Sequence, residues 1–367
     1  MRERKRKLCI LAPSHWSASF GGAEYQLKLL IDLLIAHGGF EITYLARTVD
    51  PFFSSSAYSI EQIGKWDGIH RYSFLFDVRK LLSTLSKIRP ELILQIVGCA
   101  YTGISAYYAR CNSCKIIWYV ASDTDVCPFL GKFSLNYIFR FLDKKALEYG
   151  INHVHYIITQ TKHQGDLLYQ YYGRRPNVII PNFHPVPQEV VEKGKEIRVV
   201  WVANLKPLKQ PEVFLRMARD LRGMRGVKFI MIGRALNTKW DREMLKEMSA
   251  LENLEYLGER SLKEVNEVLA RADIFVNTST YEGFPNTFIQ AWMRKVPVVS
   301  LNVNPDNVID DKGIGFFSKT YEQLIKHITI LINNTKLRNE MGERAQAFAF
   351  DNFSMKNAEK IIHLLEQ

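Results

Sequence analysis

The sequence predicts an α/β chain of two parallel-sheet domains that face a central cleft. Its 367 residues suit two domains of ordinary size, each with its own core. Strand-like apolar runs alternate with helical periodicity from end to end, and this pattern restarts after a linker. Two such strand–helix series indicate two doubly wound sheets, in which ligands bind at the carboxyl ends of the strands.

The first series occupies residues 1–185. Predicted strands lie at Leu8–Pro13, Glu41–Ala46, Leu92–Val97, Lys115–Val120, His155–Gln160 and Asn177–Pro181. Helical periodicity covers Gly22–Ala36 and Asp77–Arg89, and the second of these ends at Pro90. Pro185-Val-Pro187 and the charged stretch Glu189–Glu196 are typical of a linker.

The second series occupies residues 186–350. Its predicted strands are Arg198–Ala203, Val227–Ile232, Leu254–Leu257, Ile274–Asn277 and Val296–Leu301. Predicted helices include Pro211–Leu221, Asn286–Met293 and one opened by the capping box Ser261-Leu-Lys-Glu264. Helices at Tyr321–Asn333, Leu337–Phe350 and Ser354–Leu365 follow, and residues 351–367 form a separate C-terminal helical segment.

Composition and charge indicate a globular chain whose first half is basic. Hydrophobic residues make up 47% of the chain and charged residues 24%, which excludes a disordered chain. The net charge is +11, and residues 1–185 hold 22 Lys/Arg against 14 Asp/Glu. This surplus predicts an anionic partner of the first domain, either a membrane surface, a phosphorylated acceptor or nucleic acid. A merely basic soluble enzyme is the alternative.

The cysteines and the apolar stretches predict no disulfide framework and no membrane span. The five cysteines lack regular spacing, and Cys111-Asn-Ser-Cys114 has no second ligand pair for zinc. The long apolar stretch Leu92–Ala109 is interrupted by polar residues and glycines. This pattern favours a strand, a turn and a helix over a transmembrane helix. The apolar run Leu8–Ala12 is too short for a signal peptide, so a cytoplasmic location is expected.

Three loops at predicted strand ends carry unusual residues. In the first, Glu282 precedes a helix start at Asn286, where backbone N–H groups attract phosphate, and Gln290 follows two turns on. The second holds Lys206 and Lys209, which can neutralise a diphosphate leaving group. The third, Ser19–Glu24, contains Gly21-Gly22, which lets the backbone approach a ligand closely. Considered separately, each of these three loops is also consistent with an ordinary helix cap or surface loop that binds no ligand.

Together these loops resemble the retaining GT-B enzymes of glycosyltransferase family 4, the group 1 glycosyltransferases of bacterial cell-surface polysaccharide synthesis. The resemblance covers nearly the whole chain and is strongest over residues 198–301. It implies two Rossmann-like domains, of which residues 1–185 bind the acceptor and residues 186–350 bind the donor. It also implies that the C-terminal helix within residues 351–367 crosses back to the first domain. It implies donor binding by Gly21, Gly22, Asn204, Lys206, Lys209, Gly233, Arg234, Gly258, Glu282, Gly283, Phe284, Pro285, Asn286, Thr287 and Gln290. It implies catalytic roles for Asp123, Lys209 and Glu282.

The sequence departs from the family pattern at three positions. Gln290 stands where the family has a second acid, and Asn204 stands where it has an arginine. Asp123 stands where many members carry a histidine, and in having an aspartate there the chain resembles the lipopolysaccharide-core members. Alternatively, Asp123 simply caps the next helix. Asp123-Thr-Asp125 also matches a metal–nucleotide motif of another glycosyltransferase fold, which the double-domain layout disfavours.

The resemblance implies transfer of a sugar, with retention, from a nucleoside diphosphate-sugar to the hydroxyl of a lipid-linked or cell-surface glycan acceptor. UDP is the expected nucleotide. No cofactor and no metal are expected, and no nucleic-acid motif supports a nucleic-acid partner. The aromatic and basic segment Gly131–Tyr149 suits either an anionic membrane surface or a core-facing helix. Pro51–Tyr58 is placed on the acceptor side. A non-catalytic nucleotide-sugar-binding protein and a GT-B epimerase remain as alternatives.

Overall fold

The chain forms two units in a computed structural model. The structure describes residues 4–18, 21–65, 67, 70, 72–128, 137–188, 191–236 and 238–367. Unit 1 comprises Met1–Phe183 together with Met355–Gln367, and unit 2 comprises His184–Ser354. Parts of three predicted segments, namely Ser19, the linker residues 189 and 190, and residues 131–136 of the aromatic–basic segment, lie outside the described residues.

Over its described residues, unit 1 contains one sheet of seven parallel strands in the order β3-β2-β1-β4-β5-β6-β7. The strands are β1 (Arg6–Ser14), β2 (Phe40–Thr48), β3 (Ser59–Gln62), β4 (Leu92–Ile96), β5 (Lys115–Tyr119), β6 (Tyr156–Thr159) and β7 (Val178–Ile179). The helices are α1 (Gly22–His37), α2 (Val78–Ile88), α3 (Ala100–Cys111), α4 (Asp123–Val126), α5 (Tyr137–His153) and α6 (Lys162–Tyr172).

Two glycines let helices α3 and α5 pack backbone to backbone. A Cβ atom added at Gly103 would lie 2.0 Å from the carbonyl oxygen of Ala146, and one at Gly150 would lie 2.7 Å from the backbone of Thr102. A larger residue at either position would therefore force the two helices apart. The stretch Leu92–Ala109 is a strand, a turn and a helix, as the sequence predicts.

In its described part, unit 2 contains a second parallel sheet, of six strands, in the order β10-β9-β8-β11-β12-β13. The strands are β8 (Ile197–Val202), β9 (Val227–Ile232), β10 (Leu254–Tyr256), β11 (Ile274–Asn277), β12 (Val298–Ser300) and β13 (Gly315–Phe317). The helices are α7 (Pro211–Asp220), α8 (Lys239–Ser249), α9 (Leu262–Ala270), α10 (Asn286–Trp292), α11 (Val308–Asp311), α12 (Tyr321–Asn333) and α13 (Thr335–Asn352).

The last helix, α14 (Lys356–Glu366), belongs to unit 1. Its apolar face, with Ile361 and Leu365, joins the core that α1 forms with the sheet of unit 1. The Arg6 guanidinium donates hydrogen bonds to the carbonyl oxygens of Leu365 and Glu366, at 2.8 and 2.7 Å. No described helix of the chain is both long and apolar enough to cross a membrane.

The capping box predicted at α9 is confirmed. The Ser261 hydroxyl accepts a hydrogen bond from the Glu264 amide, and the Glu264 carboxylate accepts one from the Ser261 amide. The edge strands β3 and β13 were not predicted. β3 is polar and mostly exposed, and β13 has only three residues, so neither shows the apolar run that marks an inner strand.

Candidate functional site

Two loops of unit 2 leave the same edge of its sheet. Strands β8 and β11 are parallel neighbours, with Val199 opposite Ile274 and Val200 opposite Phe275. Their carboxyl ends therefore lie side by side, and the segments 203–210 and 278–285 both begin there. This register brings the predicted lysine loop next to the predicted glutamate loop.

The two loops meet in an ion pair between Lys209 and Glu282. The Lys209 Nζ lies 2.9 Å from Glu282 Oε2, and the side chains are 22% and 18% exposed, respectively. Both groups are thus held near the surface but largely out of water, where a charge interacts more strongly with a ligand. Lys206 is exposed at the start of the short 3-10 turn Pro207–Lys209, so the geometry singles out Lys209 as the partner of Glu282.

The second carboxylate oxygen of Glu282 is held by two buried side chains. Glu282 Oε1 accepts hydrogen bonds from Asn277 Nδ2 at 2.9 Å and from Ser279 Oγ at 2.6 Å. The Asn277 side-chain oxygen in turn accepts from the Ser279 amide at 3.1 Å. We call Asn277, Ser279 and Lys209 the carboxylate clamp, because together they fix the orientation of Glu282.

A buried threonine ties the lysine loop to strand β11. The Thr278 hydroxyl lies 2.7 Å from the carbonyl oxygen of Lys209 and 2.9 Å from that of Gln210, and it accepts a hydrogen bond from Trp201 Nε1. Gln210 adopts a left-handed backbone conformation, with φ of 46°, which turns the chain directly into α7. The position of Lys209 is therefore set by its backbone as well as by its ion pair.

The residues after Glu282 form the start of α10. Pro285 is the N-cap residue and Asn286 the first helical residue, while Gly283 and Thr287 are half-buried. The buried Phe284 ring packs 4.7 Å from the ring of Phe353 and anchors the loop. Gln290 lies further along the same helix and is 5% exposed.

A buried histidine contacts the start of this helix. His184 Nε2 lies 2.8 Å from Asn286 Oδ1, and the His184 amide donates to the carbonyl oxygen of Phe353. Burial lowers the pKa of His184 to about 4. The imidazole is therefore neutral at pH 7, and its Nε2–H donates to Asn286.

The predicted donor-binding residues Asn204, Gly233, Arg234 and Gly258 lie in the loops that follow β8, β9 and β10. The Gly233 amide donates to the carbonyl oxygen of Gly258, and Asn204 Oδ1 accepts from the Arg234 amide at 3.2 Å. A Cβ atom at Gly233 would lie 1.7 Å from the carbonyl oxygen of Ala203, so only glycine fits there. Asn204, which replaces the family's arginine, holds two loops together.

Asp123, Gly21 and Gly22 belong to unit 1, whereas the other predicted site residues belong to unit 2. Gly21 is the extended N-cap residue of α1, and Gly22 is its first residue. Asp123 is the first residue of α4, and its Oδ1 accepts a hydrogen bond from Gln164 Nε2 at 3.1 Å. The alternative in which Asp123 caps this helix is wrong, because Ser122 is the N-cap residue.

Asp125 completes that cap through its side chain. Its Oδ2 accepts from the amides of Ala121 and Ser122, and the side chain is buried. Burial raises the pKa of Asp125, and this effect outweighs the opposite effects of the backbone hydrogen bonds and of Lys144. In the described part of the chain, no three His, Cys, Asp or Glu side chains are grouped so that they can hold a metal ion.

Most of unit 2 matches a protein-family model. Residues 184–348 match the family model described as Glycosyl transferases group 1. Solved structures are similar over both units, including Anabaena HepE in complex with UDP-glucose, with a TM-score of 0.75 at 16% identity over 98% of this chain and 99% of that one. The fold is GT-B. Together with the family match, this supports a group 1 glycosyltransferase.

Other GT-B structures are equally similar. Sucrose-phosphate synthase from Thermosynechococcus elongatus has a TM-score of 0.80 at 13% identity, over 99% of both chains. WaaG, a glycosyltransferase involved in lipopolysaccharide biosynthesis, has a TM-score of 0.77 at 13% identity, over 96% of this chain and 98% of that one.

One curated relative shares sequence similarity with part of the chain. The Salmonella typhi Vi polysaccharide biosynthesis protein VipC/TviE is 23% identical over 146 residues, which are 38% of this chain and 25% of that protein. The match thus spans about a quarter of the relative's length.

Sequence reasoning missed several residues of the site. From the sequence, Asn277 is only the end of a predicted strand, Thr278 and Ser279 begin the loop that follows it, and His184 precedes the predicted linker. Three consecutive polar residues directly after the apolar run of β11 were the available signal, because buried polar groups at a strand end need partners. No local signal pointed to His184, whose partner lies 102 residues away.

Proposed function

We propose that this protein transfers a sugar from a UDP-sugar to the hydroxyl of an acceptor, with retention of configuration. The observation that carries the proposal is the Lys209–Glu282 pair, held by buried side chains at the carboxyl edge of β8 and β11. It lies within the unit that matches the group 1 glycosyltransferases. In parallel α/β sheets, this edge is where ligands bind.

Lys209 supplies the charge that glycosyl transfer needs. When the bond between the anomeric carbon and the phosphate oxygen breaks, its electron pair stays on the diphosphate. A largely desolvated ammonium group stabilises that developing charge more in the transition state than in the ground state. The amides at the start of α10 add positive potential on the same side.

Glu282 is suited to holding the donor sugar. Its carboxylate is an acceptor of hydrogen bonds, and sugar hydroxyls are donors. The clamp fixes the carboxylate before the donor arrives, so little reorganisation is needed on binding. As the acceptor oxygen bonds to the anomeric carbon, the acceptor hydroxyl gives up its proton to an oxygen of the departing diphosphate, so the products are the glycosylated acceptor and UDP.

The proposed acceptor is a lipid-linked or cell-surface glycan. This part of the proposal draws on the named roles of two similar proteins, in lipopolysaccharide and in Vi polysaccharide biosynthesis. The surplus of basic residues in the first half of the chain suits an acceptor at an anionic membrane surface. Asp123, on α4 of unit 1, is proposed to orient the acceptor or the donor sugar.

A lysine substitution tests the proposal. Lys209→Ala should weaken UDP binding and slow transfer by about 10²-fold or more, because an electrostatic contact to the leaving group is lost. The measurements are calorimetric titration with UDP and a screen of nucleotide sugars for donor hydrolysis. Lys336→Ala is the matched control, since Lys336 is 88% exposed on α13 of the same unit.

The screen also separates the alternatives. A non-catalytic sensor would bind UDP-sugars without turnover, and an epimerase would return an isomeric UDP-sugar without releasing UDP. Binding of a mixed-sequence oligonucleotide in preference to UDP would point to nucleic acid. Unchanged kinetics in a folded Lys209→Ala variant would remove the basis of the proposal, and NMR of the anomeric proton in the product tests retention.

A further inference from the structure

Five aromatic rings gather at the carboxyl ends of β1 and β2 in unit 1. The Trp16 ring stacks on the His15 ring at 3.9 Å, and Tyr44 meets His15 edge-on at 4.8 Å. The Phe53 and Tyr58 rings lie 4.9 and 6.2 Å from His15. We call these residues, together with the neighbouring Phe52, the aromatic platform.

Hydrogen bonds hold the centre of the platform rigid. His15 Nδ1 accepts from the Ser17 amide at 3.1 Å, and His15 Nε2 lies 3.1 Å from the Tyr58 hydroxyl. The imidazole is buried, and burial lowers its pKa to about 4, so it is neutral. The histidine thus has both nitrogens occupied and serves as a surface for Trp16 to stack on.

The turn that carries Phe53 also carries an exposed ring, that of Phe52. The Phe52 side chain is 95% exposed. Its amide donates to Asp50 Oδ1 at 2.9 Å, and the Phe53 amide donates to the Asp50 carbonyl oxygen. The Asp50 amide donates to Ser17 Oγ, which joins this turn to the loop after β1. The ordered turn therefore keeps the Phe52 ring exposed to water, although hydration of an apolar surface is unfavourable.

The chemistry of the surrounding chain indicates what can cover the rings. Residues 13–18 and 48–58 contain one charged residue, Asp50, in a chain whose net charge is +11. The same segments contain the hydroxyl side chains of Ser14, Ser17, Thr48, Ser54, Ser55, Ser56 and Tyr58. The nearest cation on the neighbouring helix that the contacts indicate, Lys28, is paired with Asp32 at 2.8 Å. Segments without Lys or Arg of their own give little attraction to a phosphate or an anionic bilayer. Rings interspersed with hydroxyls match a ligand with both apolar C–H faces and hydroxyl groups.

We propose that the aromatic platform binds the neutral saccharide part of the acceptor. The C–H face of a pyranose ring packs on Phe52, Phe53 or Trp16, and its hydroxyls bond to the serine side chains around them. The platform lies at the carboxyl edge of the sheet of unit 1, where the loop with Gly21 and Gly22 also begins. This inference rests on the proposed function, since it names the chemical class of the acceptor.

The test is binding of neutral oligosaccharides to the full chain. Maltotetraose, cellotetraose and chitotetraose are titrated by calorimetry and followed by saturation-transfer NMR. Phe52→Ala should weaken binding of the preferred oligosaccharide by about tenfold, because one ring contact is lost. It should leave UDP binding unchanged. Since Phe52 packs little against the core, this variant keeps the fold. Tyr107→Ala, which removes a ring that is 54% exposed on α3, should bind like the parent.

The remaining outcomes decide against the inference or against the proposed function separately. Binding by none of the three oligosaccharides, or binding that survives both Phe52→Ala and Trp16→Ala, would overturn the inference. Equally, binding of phosphatidylglycerol vesicles that Phe52→Ala abolishes would assign the platform to a lipid surface. Failure of the parent protein to bind UDP would count against the proposed function, while the oligosaccharide titrations would still report on the platform.

Discussion

Glu282 uses its two carboxylate oxygens differently, and this division is the most informative feature at the residue scale. Oε2 faces Lys209, while Oε1 is occupied by Asn277 and Ser279. Asn277 is 6% and Ser279 1% exposed, so neither is placed to bind a substrate extensively. We interpret them as positioning residues that act through Glu282.

The clamp gives a prediction that separates sugar contacts from nucleotide contacts. Ser279→Ala leaves one carboxylate oxygen short of a donor, and a hydrogen bond to a charged group contributes about 1.5–3 kcal/mol. We expect donor hydrolysis to fall by about tenfold or more, with UDP affinity unchanged because UDP lacks the sugar that Glu282 holds.

Ser279→Thr is the control for this prediction, because it keeps the hydroxyl and should restore most of the activity. Equal weakening of UDP and UDP-sugar binding by Ser279→Ala would show a general structural role for the serine instead.

Gln290 tests the ribose contact implied by its place in the family pattern. If its amide binds ribose hydroxyls, Gln290→Ala should weaken UDP binding by about 1 kcal/mol, which is typical of a neutral hydrogen bond. Gln290→Glu should be tolerated, since a carboxylate also accepts from hydroxyls. Calorimetry with UDP measures both, and circular dichroism checks folding. Loss of folding in Gln290→Glu would identify a buried structural amide.

At the scale of elements, α5 presents two different faces. Ile138, Phe141 and Leu142 are exposed on it, and Lys145 lies over the Phe141 ring at 5.5 Å. Lys144 instead turns inward and donates to the carbonyl oxygen of Asp125 at 3.3 Å. Basic and aromatic side chains on one exposed face suit the interface of an anionic bilayer.

We therefore predict that the protein binds anionic liposomes through α5. Each basic residue near such a surface contributes about 1 kcal/mol, and salt screens this attraction. The protein should sediment with phosphatidylglycerol liposomes at low salt and be released at high salt. Replacing Arg140 and Lys145 by Glu should abolish sedimentation and leave UDP binding intact.

Two further positions refine this experiment. Lys132, part of the same predicted surface, lies outside the described residues and can be added to the variant. Lys144 should be kept, because its loss would remove the hydrogen bond to the carbonyl oxygen of Asp125 in α4. If the parent protein does not bind the liposomes at low ionic strength, the prediction is wrong, and the basic charge serves only to keep the protein soluble.

At the scale of the whole molecule, the expectation is metal-independent transfer. Lys209 and the start of α10 together supply the positive potential that a divalent cation supplies elsewhere. Donor hydrolysis should therefore persist at an unchanged rate in excess EDTA. If EDTA abolishes hydrolysis and manganese restores it, this expectation is wrong, and Asp123 and Asp125 become the candidate metal ligands.

Local patterns were sufficient for most of the architecture. Strands β9 and β11 and helix α12 begin and end at the predicted residues, because the apolar period and the flanking turn residues are properties of neighbouring positions. The capping box of α9 spans four residues and is equally local. In parallel sheets, ligands bind at the loops that follow the carboxyl ends of the strands. The candidate loops could therefore be identified from the sequence.

Local sequence patterns were thus enough to identify the elements, the two parallel-sheet units and the candidate ligand-binding loops. The contacts between side chains followed only from the way in which distant elements pack. The order β9-β8-β11 places Lys209 rather than Lys206 against Glu282, and the fold buries Arg47 against Asp77, 30 residues away. The reason is physical. Periodicity reports which face of an element avoids water, whereas a buried polar group takes whatever partner the packing of distant elements brings within about 3 Å.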